Sequence, residues 1–128
     1  MGSAQSAISK HNAEHYSWGQ GCDGWYLVKN DAINIIQERM PPGTAETLHK
    51  HVKARQFFFV LAGTASMEER GRVVTLPTGS GIEIPPGVPH RISNPGEVDL
   101  EIIVTSVPPS HGDRLELAAL QKPAPKQR

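Results

Sequence analysis

Turn-forming residues cut the middle of this chain into pieces that suit strands better than helices. Pro41-Pro42-Gly43, Gly63, Arg70-Gly71, Pro85-Pro86-Gly87 and Asn94-Pro95-Gly96 each end a short segment of β-type character. Nine such segments follow one another: 25–28, 33–40, 46–52, 56–62, 64–68, 72–76, 82–84, 88–93 and 98–104. The last is the clearest, because Val98, Leu100, Ile102 and Val104 alternate with polar Asp99 and Glu101, the pattern of a strand with one face buried. Short strands with frequent turns predict an all-β sandwich or barrel.

The length, 128 residues, suits one domain. Thirteen Lys and Arg balance thirteen Asp and Glu, so no charge excess points to nucleic acid, whose binding rests on neutralising phosphates. No apolar run approaches the ~20 residues of a spanning helix, and the first ten residues lack the features of a secretory signal. A cytoplasmic protein with no membrane or nucleic-acid partner is the expectation. With Cys22 as the only cysteine, an intrachain disulfide and a cysteine-rich zinc site are both excluded.

Histidine placement carries the chemistry. His49 and His51 lie two apart in a β-type segment, so both imidazoles leave the same face of the strand and can share one ion. His90 follows the turn at Pro85-Pro86-Gly87, and an antiparallel fold can return it to that pair. Imidazole suits Ni, Zn, Cu and Fe better than Mg or Ca.

The spacing around these histidines resembles the cupin superfamily, and its small single-domain members in particular. The first cupin motif corresponds to Gly43, five residues, His49-Lys50-His51, four residues, Gln56, six residues, Gly63. The second corresponds to Gly79, five residues, Pro85-Pro86-Gly87, two residues, His90, three residues, Asn94. The resemblance implies a double-stranded β-helix, the cupin jelly-roll barrel, over residues 24–107. A polar N-terminal arm (1–23), its first 17 residues either mobile or an edge segment, would precede it, and a C-terminal segment (108–128) with a disordered end would follow. It also implies a divalent transition metal (Ni, Zn, Fe, Mn or Cu) held by His49, His51, Gln56 and His90. Gln56 stands where the motif has a glutamate. A neutral amide leaves the ion its full charge, which weakens retention and attracts anions. Gln56 either ligates through its amide oxygen or hydrogen-bonds a ligand imidazole.

Other chemistry-bearing residues have plainer readings. Phe58 shares strand parity with Gln56 and would pack inside the barrel. Arg55 and Arg91 alternate away from their neighbouring ligands into solvent, and Glu46 alternates away from the face of His49 and His51. His11 and His15 are read as solvent-facing, and Cys22 has no neighbour to activate it. Ser110 and Asp113 have capping-box spacing before Leu115, Leu117, Ala118 and Leu120, which predicts a short C-terminal helix, with His111 in the same capping segment. Few acid or base groups beyond the histidines are expected at the site. The expected function is a metal-dependent enzyme of dioxygenase or isomerase type on a small molecule. A module that binds a small anion or sugar-like ligand without turnover is the alternative. A homodimer is expected, with Trp18, Trp25 and Tyr26 supplying apolar surface to cover a neighbour.

Overall fold

The computed structural model describes residues 6–110 and 112–117. Two antiparallel sheets face each other. One is six-stranded, in the order β1 (Glu14–Trp18), β2 (Cys22–Lys29), β3 (Asn34–Met40), β10 (Leu100–Val107), β5 (Arg55–Ala62) and β8 (Gly81–Ile84). The other runs β11 (Arg114–Glu116), β4 (His49–His51), β9 (His90–Ser93), β6 (Ala65–Glu69) and β7 (Arg72–Leu76). This is the all-β double-stranded β-helix that the motif spacing implied. Among the described residues there is no helix.

Alternation sends one side of every long strand between the sheets. On β10 the buried positions are Leu100, Ile102, Val104 and Ser106. On β5 they are Gln56, Phe58 and Val60, with Phe57 and Phe59 on the outer face. The same inner face on β3 reads Asn34, Ile36, Glu38, Met40. On β5 and β10 it changes from apolar at one end to polar at the other, and on β3 it is apolar at Met40 and polar at Glu38 and Asn34 with Ile36 between them. The apolar ends of Met40, Val60, Leu100 and Ile102 join Ala65, Met67, Leu76, Ile84 and Ile92 in one core. The polar ends surround a cavity.

Two motif residues act on the backbone. Gly63 ends β5 with φ +83°, and a Cβ there would sit 2.9 Å from the Asp99 carbonyl oxygen, so only glycine fits the turn. Asn94 is buried, and its side-chain amide donates to the carbonyls of Met40 and Val98, 2.8 Å each, stapling β9 to the ends of β3 and β10.

Both flanks carry strands outside the expected barrel limits, the N-terminal one as an edge segment. Within the stretch read as a polar arm, β1 pairs with β2 over its whole length and extends the six-stranded sheet. Its inward residues, Tyr16 and Trp18, supply the apolar contact that orders it; Trp18 packs against the core. At the other end, residues 114–116 form a strand rather than the start of a helix. Arg114 pairs with His51 and Glu116 with His49, because the unpaired edge of β4 offers more hydrogen bonds than a short helix gains in water. The rest of the expected helix, Ala118 and Leu120, and the tail expected to be disordered lie outside the described residues, as does His111.

Candidate metal centre

Backbone pairing builds the histidine cluster. His49 on β4 is the cross-strand partner of His90 on β9, and His51 lies two residues further on the same face. The ring centroids of His49 and His90 are 4.4 Å apart, those of His49 and His51 5.1 Å, and those of His51 and His90 5.9 Å. All three side chains are buried, and one nitrogen from each lies within 4.8 Å of the others. His49 Nδ1 is 2.7 Å from the Thr47 carbonyl and His90 Nδ1 is 3.0 Å from that of Val88. A carbonyl only accepts, so each Nδ1 carries the hydrogen and each Nε2 presents a lone pair. Burial pushes the His49 imidazole down to about 3 and His51 to about 4, and lowers His90 as well. The cluster is therefore neutral at pH 7 and ready to donate. His51 Nδ1 is buried without a hydrogen-bond partner. Three uncharged nitrogen donors at this spacing, one of them unsatisfied, fit a divalent transition ion.

Gln56 reaches the cluster from the opposite sheet. Its Nε2 donates to Ser106 Oγ at 2.9 Å, and its Oε1 lies 3.1 Å from His90 Nε2. With the hydrogen of His90 on Nδ1, that contact sets two lone pairs face to face. A cation accepting from both would satisfy it, as would a half-turn of the amide that donates to His90 and accepts from Ser106. These are the two roles the sequence left open, now expressed as one torsion.

The cavity around the cluster, about 280 Å³, holds more ionisable groups than the sequence suggested. Tyr16, Tyr26, Asn34, Glu38, Glu46 and Arg114 join His49, His51 and Phe58 in its wall, with His90 behind His49. Glu46 corrects the alternation argument: residues 46–48 are irregular, so parity fails there, and the side chain turns into the cavity, with Oε1 accepting from the Ile92 amide at 3.2 Å. Burial raises its carboxyl to about 7. Burial, and then the charge of Glu46, raise that of Glu38 to about 8. Arg114 enters from β11, opposite His51. The signal for Glu38 was present in the sequence, since it shares parity with Ile36 and Met40 on a buried strand. Ile35 beside Ile36 blurred which face that was.

The remaining sequence candidates fall away from the site. Arg55 pairs with Glu83 and Arg91 with Glu68 at the surface. His15 is exposed, 2.8 Å from Asp23, and His11 is exposed. Cys22 is buried in the core with its thiol raised by desolvation, so it is inert. Asp113 does cap, though not a helix. Against partial burial, the amides of Ala54, Lys53 and Val52 donate to it, lower its carboxyl and fix the turn that leaves β4.

A sequence profile of the cupin domain matches residues 36–106, more than half of the chain. The chain belongs to the cupin family. It is 37% identical over 88 residues to an uncharacterised protein of Methanocaldococcus jannaschii, a match covering 68% of this chain and 70% of that one. An oxalate-binding protein of Thermotoga maritima is 28% identical over 80 residues, covering 62% and 66%. Among solved cupin-like structures, a polyketide cyclase from Streptomyces resistomycificus superposes with a TM-score of 0.75 at 14% identity, covering 89% of this chain and 86% of that one. The chain spans only about a fifth of the length of the mannose-1-phosphate guanylyltransferases it also matches.

Proposed function

We propose that this cupin is a metal-dependent enzyme acting on a small, oxygen-rich anion. His49, His51 and His90 would hold the ion, with Gln56 as a neutral fourth donor. The observation that carries the reading is one site, in which a cluster of three neutral imidazoles borders a cavity that also holds one arginine and two carboxyls raised by burial to about 7 and about 8. A bound ion supplies Lewis acidity and open coordination positions, which suits dioxygenase or isomerase chemistry. The protein's own groups do the rest. The Thr47 and Val88 carbonyls orient the rings of His49 and His90, Arg114 adds positive charge to the cavity, and Tyr16 and Tyr26 line it. With no carboxylate among the ligands, the positive charge of the ion stays available to an anion. The likeness to an oxalate-binding protein supports the same ligand class, and equally a second reading in which the chain binds such an anion without converting it.

Elemental analysis of protein purified without added metal tests the centre. We expect close to one transition ion per chain, reduced in His90→Ala together with the metal-dependent gain in melting temperature. Full metal content in that variant would remove His90 from the ligand set. Incubating the loaded protein with oxalate, malate and tartrate, and following both binding and product, separates enzyme from binding module.

A further inference from the structure

The wall facing the histidines carries a second built device. Glu38 is nine-tenths buried on β3 and lines the cavity from the sheet opposite the histidine-bearing strands. Its Oε2 accepts a hydrogen bond from the Tyr16 hydroxyl at 3.1 Å, whereas its Oε1 is buried with no partner. Tyr16 reaches Glu38 across an entire strand. Tyr16 pairs with Gly24, and Gly24 pairs with Glu38, so the three residues form one row over β1, β2 and β3. The phenol lies where a side chain on β2 would stand. A Cβ at Gly24 would meet Tyr16 Cζ at 2.2 Å and its hydroxyl oxygen at 2.5 Å. No positive φ calls for glycine at that position, so the close approach of the ring is what requires it.

We infer that Glu38 is a ligand-contacting acid of this cavity, its Oε1 meeting an oxygen of the bound anion, and that Tyr16, seated over Gly24, positions it. This rests on the anion reading above. Tyr16 occupies Oε2 as a donor, so the carboxyl proton sits on Oε1, the oxygen left open. There it donates to a carboxylate or hydroxyl oxygen of the ligand. As negative charge builds on that oxygen, the proton crosses to it and the electron pair of the O–H bond stays on Glu38. The Tyr16 hydroxyl then stabilises the new carboxylate, and reversal of the step returns the proton. The groups facing Glu38 permit this. Tyr16 with Tyr26 beside it, Glu46 before β4, Arg114 on β11 and, across the cavity, the neutral His49 and His51 are the titratable or charged ones, and β10 offers only Ile102 and Val104. Burial, with the neighbouring charge of Glu46, keeps the Glu38 proton in place at neutral pH, and burial also holds the Tyr16 hydroxyl above its ordinary range.

Calorimetric titration of oxalate, malate and tartrate into the nickel-loaded full chain tests this at pH ~6 and pH ~9, on either side of the raised carboxyl. Wild type should bind at least one of them about tenfold or more tightly at the lower pH, because ionised Glu38 loses its donor and repels the anion. Glu38→Leu should lose about ten- to a hundredfold at the lower pH with unchanged nickel stoichiometry. Glu38→Gln, which keeps a donor but cannot ionise, should bind with a weaker pH step, while Glu46→Gln should keep a step whose midpoint lies at lower pH, because the charge that helps raise Glu38 is gone. Tyr16→Phe removes the donor that favours the charged carboxylate, so the midpoint should move to higher pH; a merely structural tyrosine would leave it fixed. Equal affinities for wild type and Glu38→Leu overturn the contact. A nickel-loaded wild type that binds none of the three overturns the anion reading itself, and the inference with it.

Discussion

Replacing Gly24 by alanine adds one methyl group to the middle of β2, where strand propensity alone would favour the change. Removing a glycine from an ordinary strand position gains about 0.5–1 kcal/mol. The structure reverses that sign. The new Cβ falls 2.2 Å from Tyr16 Cζ, more than an ångström inside ordinary contact, and the ring is the part free to move. Swinging it aside breaks its hydrogen bond to Glu38 and its tilted contact with Tyr26, whose ring centroid is 5.3 Å away. The hydrogen bond is worth about 1 kcal/mol and the aromatic contact about 0.5–1.5, so after the strand gain the net loss should be about 1 kcal/mol. Placed on Tyr16→Ala, the same Gly24→Ala substitution meets no ring and should stabilise by about 0.5–1 kcal/mol. Urea unfolding of the wild type, both single variants and the double variant gives the coupling, expected at about 1.5–2.5 kcal/mol. Additive effects of the two substitutions would refute the seating of Tyr16 over Gly24.

Three further outcomes are expected. Folded Glu38 holds its proton up to about pH 8 against 4.5 when unfolded, so its burial costs nothing in acid and destabilises increasingly as pH rises through that window, by up to ~5 kcal/mol shared with Glu46. Glu38→Gln should therefore match wild type in urea midpoint near pH ~4 and exceed it above pH ~8; a pH-independent difference would contradict the burial. If the Gln56 oxygen faces the ion, Gln56→Glu should tighten nickel or zinc binding about tenfold or more after desolvation of the carboxylate is subtracted, and equal dissociation constants would leave a three-histidine centre. Light scattering should give a dimer mass. Of the residues expected to cover a neighbour, Trp18 packs on the core, Tyr26 lines the cavity and Trp25 lies against His15 and Lys10, so half-exposed Phe57 and Leu61 on the outer face of β5 are the better candidates; Phe57→Lys should then release monomer, and a wild-type mass of about 14 kDa at every concentration would refute it.

The strand ladder was legible in the sequence because alternation and turns are local. Each of the nine segments contains or overlaps a strand, and the motif spacing placed His49, His51 and His90 at one site. What escaped depends on partners. The three residues of β11 become a strand only because β4 presents an open edge, and the leucine spacing that suggested a helix carries no record of that edge. Glu46 escaped for the opposite reason: parity was applied to residues that are not a strand. Glu38 could have been found from Ile36 and Met40, yet its meaning comes from Tyr16 two strands away, a relation that no periodicity encodes. A solvated histidine would lose its metal below pH ~6; with His49 and His51 lowered by burial, that loss is expected under more acid conditions, a shift that only the folded environment sets.

The lengthwise division of the strands into an apolar end and a polar end has a consequence for how such a protein can change. Met40, Val60, Leu100 and Ile102 lie on the same strands as Glu38, Gln56 and Ser106, separated by two residues or a few more. Truncation of one of those core side chains costs about 2–5 kcal/mol, a large share of a small domain's total stability. Exchanging a cavity residue for another polar one leaves the core contacts intact. Most of the core and most of the chemistry are thus drawn from different positions of shared strands, with Phe58 and Val104 serving both, so polar residues of the cavity can be exchanged one side chain at a time while the core contacts stay in place.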